Sequence, residues 1–367
     1  MIDKSILNVE KTDYGKYPLF LGDQELGVFD TINKKYPSIW NFYKEMRSLD
    51  WSEDEFDFSS CNLMFKNCPE HIADKMIKTL AWQWEADSVA SKSLYAVMSP
   101  FISSPELMAL WQRVSENEIV HAATYSEIVR MSFDDPNKVL DSIMEITESL
   151  QRLELVSNVF SEAYTASHEY ALGNIPNDQN TYEKVFMFLV ALYGLEAIQF
   201  MSSFAITFAI CDSGIFQPIG KAVQKIAQDE YEVHKESIRE VLKIELKTER
   251  GQTALSNCKG RIETLLNEIV NNEISWLKDT LFDDDKELVG VNADTCSKWT
   301  LYNAKPVFNL LKVKCEHPFP KKNPLKFMEN WLDMSKTQPA PQEEDVASYK
   351  VGMIKRTDEG KTFDIDF

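Results

Sequence analysis

The sequence predicts an all-α protein, built as one helical bundle, and three observations carry that prediction. Apolar residues recur at helical spacing along most of the chain, and hydrophobic types make up 44% of its 367 residues, enough for a large core. Breakers are sparse, with 12 Gly and 14 Pro, which leaves room for long uninterrupted helices. No alternating run flanked by hairpin turn signals stands out, and short strands have room only near residues 55–66.

Residues 1–30 read as an N-terminal arm with little periodicity, and residues 31–334 as the helical domain. Helical patterning occupies roughly residues 30–48, 69–98, 104–133, 137–172, 181–211, 216–247, 253–282 and 292–313. Ser99-Pro100 closes the second of these. Ser104, Pro105 and Glu106 open the third with a side-chain cap, a proline at the first helical position and an acid at the positive end of the helix dipole. Gly173-Asn174-Ile175-Pro176 ends the fourth.

The fifth contains Val185 to Cys211, in which Glu196 is the sole charged residue. Its length suits a membrane span. No other helix is comparably apolar, however, and Gly194, Gln199, Ser202, Ser203 and Thr207 punctuate it. The expectation is therefore the central helix of a bundle, apolar all round, with no membrane. From about Ser335 the chain turns polar, acidic and proline-containing. Such a segment buries too little apolar surface to order itself, so residues 335–367 are expected to form a disordered tail. Its isolated aromatics fit a docking peptide as well as a frayed end.

A formal net charge of −19 excludes a nucleic-acid or anionic-membrane surface, since either needs clustered Lys and Arg. Cys61, Cys68, Cys211, Cys258, Cys296 and Cys315 include no Cys-x-x-Cys pair. Neither a disulfide framework nor a zinc site is expected, and a cytoplasmic location is. The first residues, Met1 to Ser5, show no basic region leading into an apolar run, so no secretory signal is expected.

The chemistry lies in carboxylates and histidines at helical spacing. Glu118 and His121 are three residues apart and Tyr125 follows one turn later, so all three project from one face. Glu230 and His234 form a second pair, offset by about 40° on a helix, whereas Glu232 lies about 200° from His234 and cannot share a metal with it. Asp229 points away, free to hydrogen-bond elsewhere. Glu196, in its apolar helix, needs a cation or a proton. With Asp87 these residues supply four acids and two imidazoles from four helices, the donor set of a dinuclear carboxylate site inside a bundle. One imidazole per metal among hard carboxylates suits iron or manganese; zinc favours more His or Cys.

Taken singly the signals are weak. Glu-x-x-His recurs by chance, Asp87 alone reads as a solvated or capping acid, and Tyr125 alone as a core phenol; the combination carries the argument. His71, His168 and His317 make no such pair and read as ordinary histidines. Beside redox-active metals Tyr125 becomes a candidate for one-electron oxidation. Phe200 and Phe204, one and two turns beyond Glu196, either wall its pocket or are simply core.

Asp87, Glu118-x-x-His121, Tyr125, Glu196 in Leu-Glu-Ala-Ile-Gln-Phe, Asp229-Glu230 and the tail Ala-Pro-Gln-Glu-Glu-Asp-Val-Ala-Ser-Tyr349 together resemble the small, radical-generating subunit of class I ribonucleotide reductase, over nearly the whole chain. The resemblance implies a ferritin-like bundle, a homodimer and a dinuclear centre that reacts with an oxidant to oxidise the neighbouring tyrosine. It implies Asp87, Glu118, His121, Glu196, Glu230 and His234 as ligands of two metal ions per chain, with iron the first assignment and manganese the alternative. Tyr125 becomes the radical residue, with Phe200, Phe204 and Ile226 around it. Trp51 becomes a buried tryptophan bonded to Asp229, which reaches His121. Tyr349 passes the radical to the large subunit, in whose groove the end of the chain at Phe367 anchors. The large subunit then holds the ribonucleotide and the reactive cysteines.

One departure is plain. The family carries Glu-x-x-His in the second pair, and this chain has Glu230-Tyr231-Glu232-Val233-His234, one residue longer. A π-bulge is the expected way to absorb the insertion and return His234 to its place. Within the family, Tyr125 argues against variants with Phe and a manganese–iron pair, and the four acids argue against the metal-free variant. Di-iron and dimanganese both stay open. The alternative reading is another ferritin-like di-iron oxygenase or ferroxidase, which has no reason to keep Trp51, Asp229 and the Tyr349 tail together. An inert helical adaptor is disfavoured by the cost of unliganded buried carboxylates.

Overall fold

The computed structural model describes residues 17–22, 29–283 and 286–333. Among them every regular element is a helix: α1 (Pro37–Ser48), α2 (Cys61–Asn67), α3 (Glu70–Met98), α4 (Pro105–Ser132), α5 (Pro136–Met144), α6 (Thr147–Ala171), α7 (Gln179–Gly194), α8 (Phe200–Asp212), α9 (Gln217–Asp229), α10 (Lys235–Glu245), α11 (Glu249–Trp276), α12 (Ala293–Leu311) and α13 (Met328–Trp331). Three π-helical turns continue these helices without a break: Leu195–Gln199 between α7 and α8, Glu230–His234 between α9 and α10, and Leu277–Leu281 after α11.

Side-chain caps start the long helices. Ser104 Oγ accepts from Leu107 N (3.3 Å) at α4, Asp178 Oδ1 from Thr181 N (2.9 Å) at α7, and Thr248 Oγ1 from Gly251 N (2.9 Å) at α11. Each satisfies an otherwise orphaned N–H and contributes about 1 kcal/mol. Asn292 and Thr295 form a reciprocal capping box at α12.

The α7–α8 run is the axis of the bundle. Every residue from Val185 to Cys211 is buried, so the one described helical run apolar enough to cross a membrane is enclosed by the protein itself. α6 and α11 pack along α7, while α3 and α9 pack along α8, and α3 lies against α4. Gly194 permits a close approach between α7 and α11. A Cβ there would lie 2.8 Å from Ile269 Cδ1 of α11.

Several sequence expectations shift. The stretch 137–172 is two helices, because Ile143 of α5 turns into a small cluster with Ala81 and Val129 while α6 lays Leu153, Val156 and Phe160 into the main core. One straight helix could not aim both faces. The region 55–66 holds no strand; a capped 3₁₀ turn (Glu53–Glu55) and α2 occupy it. Among the described residues the first helix begins at Pro37 rather than at 30. Of the N-terminal arm, residues 17–22 lie against the α3–α4 turn, with Leu21 N donating to Phe101 O (2.7 Å) and Ser103 N to Leu19 O (2.9 Å). Tyr349 and the whole 335–367 tail lie outside the described residues. All six cysteines are free thiols.

Candidate metal centre

Four helices converge on one buried cluster. α3 supplies Asp87, α4 supplies Glu118 and His121, the π turn after α7 supplies Glu196, and the π turn after α9 supplies Glu230 and His234. Two overlapping quartets form: Asp87, Glu118, His121 and Glu230; then Glu118, Glu196, Glu230 and His234, the donor atoms of each quartet lying within 4.8 Å of one another. Glu118 and Glu230 belong to both quartets, so their two oxygens can face two ions at once. The wider turn at Glu230–His234 absorbs the additional residue of this chain and sets His234 Nδ1 2.9 Å from Glu230 Oε2 and 3.1 Å from Glu118 Oε1. His121 Nδ1 is 3.2 Å from Glu230 Oε1 and 3.4 Å from Glu118 Oε2.

The electrostatics ask for cations. No side chain of the cluster is more than 1% exposed, and the charges that act most on Asp87, Glu196 and Glu230 are those of the other members of the cluster. Both oxygens of Asp87, Glu118, Glu196 and Glu230, and Nδ1 of His121 and His234, have no hydrogen bond. Buried polar atoms are rarely left in that state, and these are arranged as inward-facing metal donors. Burial, and then the charge of Glu118, holds the Asp87 carboxyl well above its ordinary range; burial and then Glu230 do the same to Glu196. Burial alone would lower His234, but Glu230 and Glu118 outweigh it and push the imidazole up to about 10. His121 is likewise raised against burial by Asp229, Glu118 and Glu230. Glu230 lies below the ordinary carboxylate range, since the two imidazoles outweigh its burial. Four carboxylates and two imidazoles fit two divalent cations, which would neutralise the acids and leave each Nδ1 lone pair a partner.

Tyr125 is 1% exposed and its hydroxyl has no hydrogen bond. Burial, followed by Asp87, Glu230 and Glu118, holds the phenol well above its ordinary pKa, so it stays neutral. Phe200, Phe204 and Ile226 belong to the same core. The wide turn Leu195–Gln199 intervenes between Glu196 and Phe200, so α-helical spacing alone does not set their shared face; the Phe200 ring lies 5.2 Å from Trp82 and 5.9 Å from Phe204.

Behind the cluster, Trp51 Nε1 donates to Asp229 Oδ2 at 2.7 Å, and His121 Nε2 meets the same oxygen at 3.1 Å. The Trp51 ring stacks on His121 with centroids 5.8 Å apart. Of the remaining histidines, His168 bonds Tyr164 O (2.8 Å) and His317 bonds Asn271 Oδ1 (2.7 Å); neither they nor His71 join the cluster.

Sequence reasoning missed two features. Asn117 sits between Asp229 and His234; its place one turn before His121 was a usable signal. Arg152 and Glu273 form a buried bidentate ion pair (2.9 and 2.7 Å), with the guanidinium 3.9 Å from the Trp82 ring centroid and 3.8 Å from that of Trp276. Nothing local in sequence pairs residues so far apart.

A sequence profile of the family described as "Ribonucleotide reductase, small chain" matches residues 28–324. The chain is 27% identical to the ribonucleoside-diphosphate reductase subunit beta of Haemophilus influenzae, with 96% of each covered. It is 28% identical to the ribonucleoside-diphosphate reductase 1 subunit beta of Escherichia coli, with 94% of each covered. Among solved structures, the ribonucleotide reductase R2 subunit from Clostridium botulinum superposes with a TM-score of 0.77 at 20% identity, over 91% of this chain and 99% of that one. The dimanganese(II)-NrdF of Streptococcus sanguinis gives 0.65 at 14% identity, over 84% and 100%.

Proposed function

The chain belongs to the ribonucleotide reductase small-chain family, and on that premise we propose that its buried cluster holds two metal ions and that Tyr125 beside them stores an oxidising equivalent for a large-subunit partner. The observation that carries the reading is the pair of overlapping quartets whose inward oxygens and nitrogens have no other partner. Asp87 and His121 would hold one ion, Glu196 and His234 the other, and Glu118 and Glu230 would serve both. When bound and oxidised, such a pair supplies the one-electron oxidising power that a phenol requires. The donor set suits iron first and manganese second, and a dimanganese relative shares the fold.

The residues of the chain do the rest. Because Tyr125 is held neutral, the phenol would give up its electron and its hydroxyl proton together, the proton passing to Asp87, the carboxylate whose charge acts on it most strongly. Full burial and the surrounding apolar core keep water and reductants from the resulting phenoxyl radical. Trp51, Asp229 and His121 form a hydrogen-bonded chain from the centre toward the surface, where Trp51 is 7% exposed. We assign to that chain, and to Tyr349 in the tail, the passage of the equivalent to the large subunit. Residues 31–334 form the metal-binding domain, residues 1–30 an arm and residues 335–367 the docking tail, in a homodimer.

The test is direct. Protein reconstituted with ferrous or manganous ions and oxidant should hold two ions per chain and show a tyrosyl signal in electron spin resonance. Tyr125→Phe should keep both ions and the fold but lose the signal and all ribonucleotide reduction with the large subunit. Turnover retained by Tyr125→Phe refutes the radical role.

A further inference from the structure

The two histidines of the centre are joined behind it. Three nitrogens converge on Asp229 Oδ2: Trp51 Nε1 at 2.7 Å, His121 Nε2 at 3.1 Å and Asn117 Nδ2 at 3.1 Å. The other end of the Asn117 amide, Oδ1, meets His234 Nε2 at 3.0 Å. Asn117 is 2% exposed, so no solvent competes for either end. It stands one turn before His121 on α4 and therefore reaches Asp229 from the same side.

The amide has only one workable orientation. A carboxylate oxygen that already takes the indole N–H of Trp51, a group that can only donate, acts as an acceptor, so Asn117 must present its nitrogen there. Flipping it would set Oδ1 against Asp229 Oδ2 at 3.1 Å, two acceptors with no proton between them. With Oδ1 thus turned to His234, Nε2 of that ring must carry the proton. The Nδ1 lone pair is then left for the side facing Glu118 and Glu230. Asp229 fixes His121 in the same tautomer directly. An acceptor on the outer N–H of a ligating imidazole orients the ring and raises its basicity.

We propose that Asn117 is a positioning residue that extends the Trp51–Asp229 chain to the second imidazole, so that one carboxylate sets the tautomer and orientation of both His121 and His234. The inference rests on the two-cation reading of the cluster. It makes a change at Trp51 perceptible at both imidazoles rather than at His121 alone.

Full-length protein is titrated with manganous ion alongside Asn117→Leu, which keeps the branched shape but removes donor and acceptor; Asn117→Ala is the second variant, and circular dichroism checks the fold of each. The wild type should bind two ions. The variants should lose about 10–100-fold in affinity at one position and little at the other. A second readout uses zinc-loaded protein carrying nitrogen-15 histidine. Trp51→Phe should shift the Nε2 resonances of both His121 and His234 in the wild-type background, and that of His121 alone when Asn117→Leu is also present. Unchanged affinities in a folded variant, or a His234 resonance that still follows Trp51→Phe without Asn117, overturn the inference. A wild type that binds two ions while ignoring Asn117 sinks this inference alone; a wild type that binds none sinks the two-cation reading beneath it.

Discussion

Replacing Glu196 by Leu should change stability in opposite directions with and without metal. Glu196 is 0% exposed, both its oxygens lack a hydrogen bond, and burial with the Glu230 charge holds its carboxyl well above the ordinary range. In the metal-free protein it is a polar group buried without a partner, which costs about 1–3 kcal/mol. Leucine of similar length removes that cost. Unfolding entropy of about 2.1 cal/mol/K per residue makes the gain worth roughly 1–4 °C in Tm for a chain of this size. With metal the sign reverses. A site held at 1,000 times its Kd contributes about 4.1 kcal/mol to the folded state; set against the gain of about 1–3 kcal/mol without metal, a variant that has lost one of two ions should melt about 1–4 °C below the loaded wild type. Differential scanning calorimetry in chelator and in manganous chloride, with metal counted by mass spectrometry, reads both arms. A variant that melts below wild type in chelator, or that still binds two ions, would show Glu196 to be an ordinary structural residue.

Further outcomes follow from the same charges. Metal-free folded protein keeps protons on His234 up to about 10, against about 6.5 in the unfolded chain. The native state therefore binds more protons between those values, and its stability should fall as pH rises from about 7 to 10; Glu230, already ionised in both states there, adds nothing to the slope. Metal-loaded protein should lack this dependence and release protons on loading, measured as a binding enthalpy that varies with the ionisation enthalpy of the buffer. A flat metal-free melting profile over that window would contradict the assignment. Arg152→Ala strands Glu273 as an uncompensated buried charge and should cost about 3–5 kcal/mol in urea denaturation, whereas Arg152→Met combined with Glu273→Leu should cost far less. Equal losses in the two would show that the pair is not what matters. Truncation after Met334 should leave metal content intact and abolish association with the large subunit in analytical ultracentrifugation; normal association would remove the docking role of the tail.

Local pattern made much of this molecule legible. Helices announce themselves through 3.6-residue periodicity and caps such as Ser104, both of which depend on residues near in sequence. Even the inserted residue before His234 signalled a π turn, because a known pair spacing had been exceeded by one. The π turn at Leu195–Gln199 gave no such signal, since Glu196 has no second ligand on its helix against which a register could be judged. The division of 137–172 was equally silent: the break depends on where Ile143 finds partners, not on a Gly or Pro.

What the sequence determined by itself was the helical class, the carboxyl of Glu196 inside an apolar helix and six candidate donors on four helices, because residue type and spacing along one helix are properties of the chain. Only the tertiary structure decided that Glu118 and Glu230 stand in both quartets, that Asn117 and Asp229 meet behind the two imidazoles, and that Arg152 finds Glu273 between two tryptophans. Those relations join atoms from different helices, whose relative rotation and depth are fixed by side-chain packing across the whole core, and no local pattern encodes them.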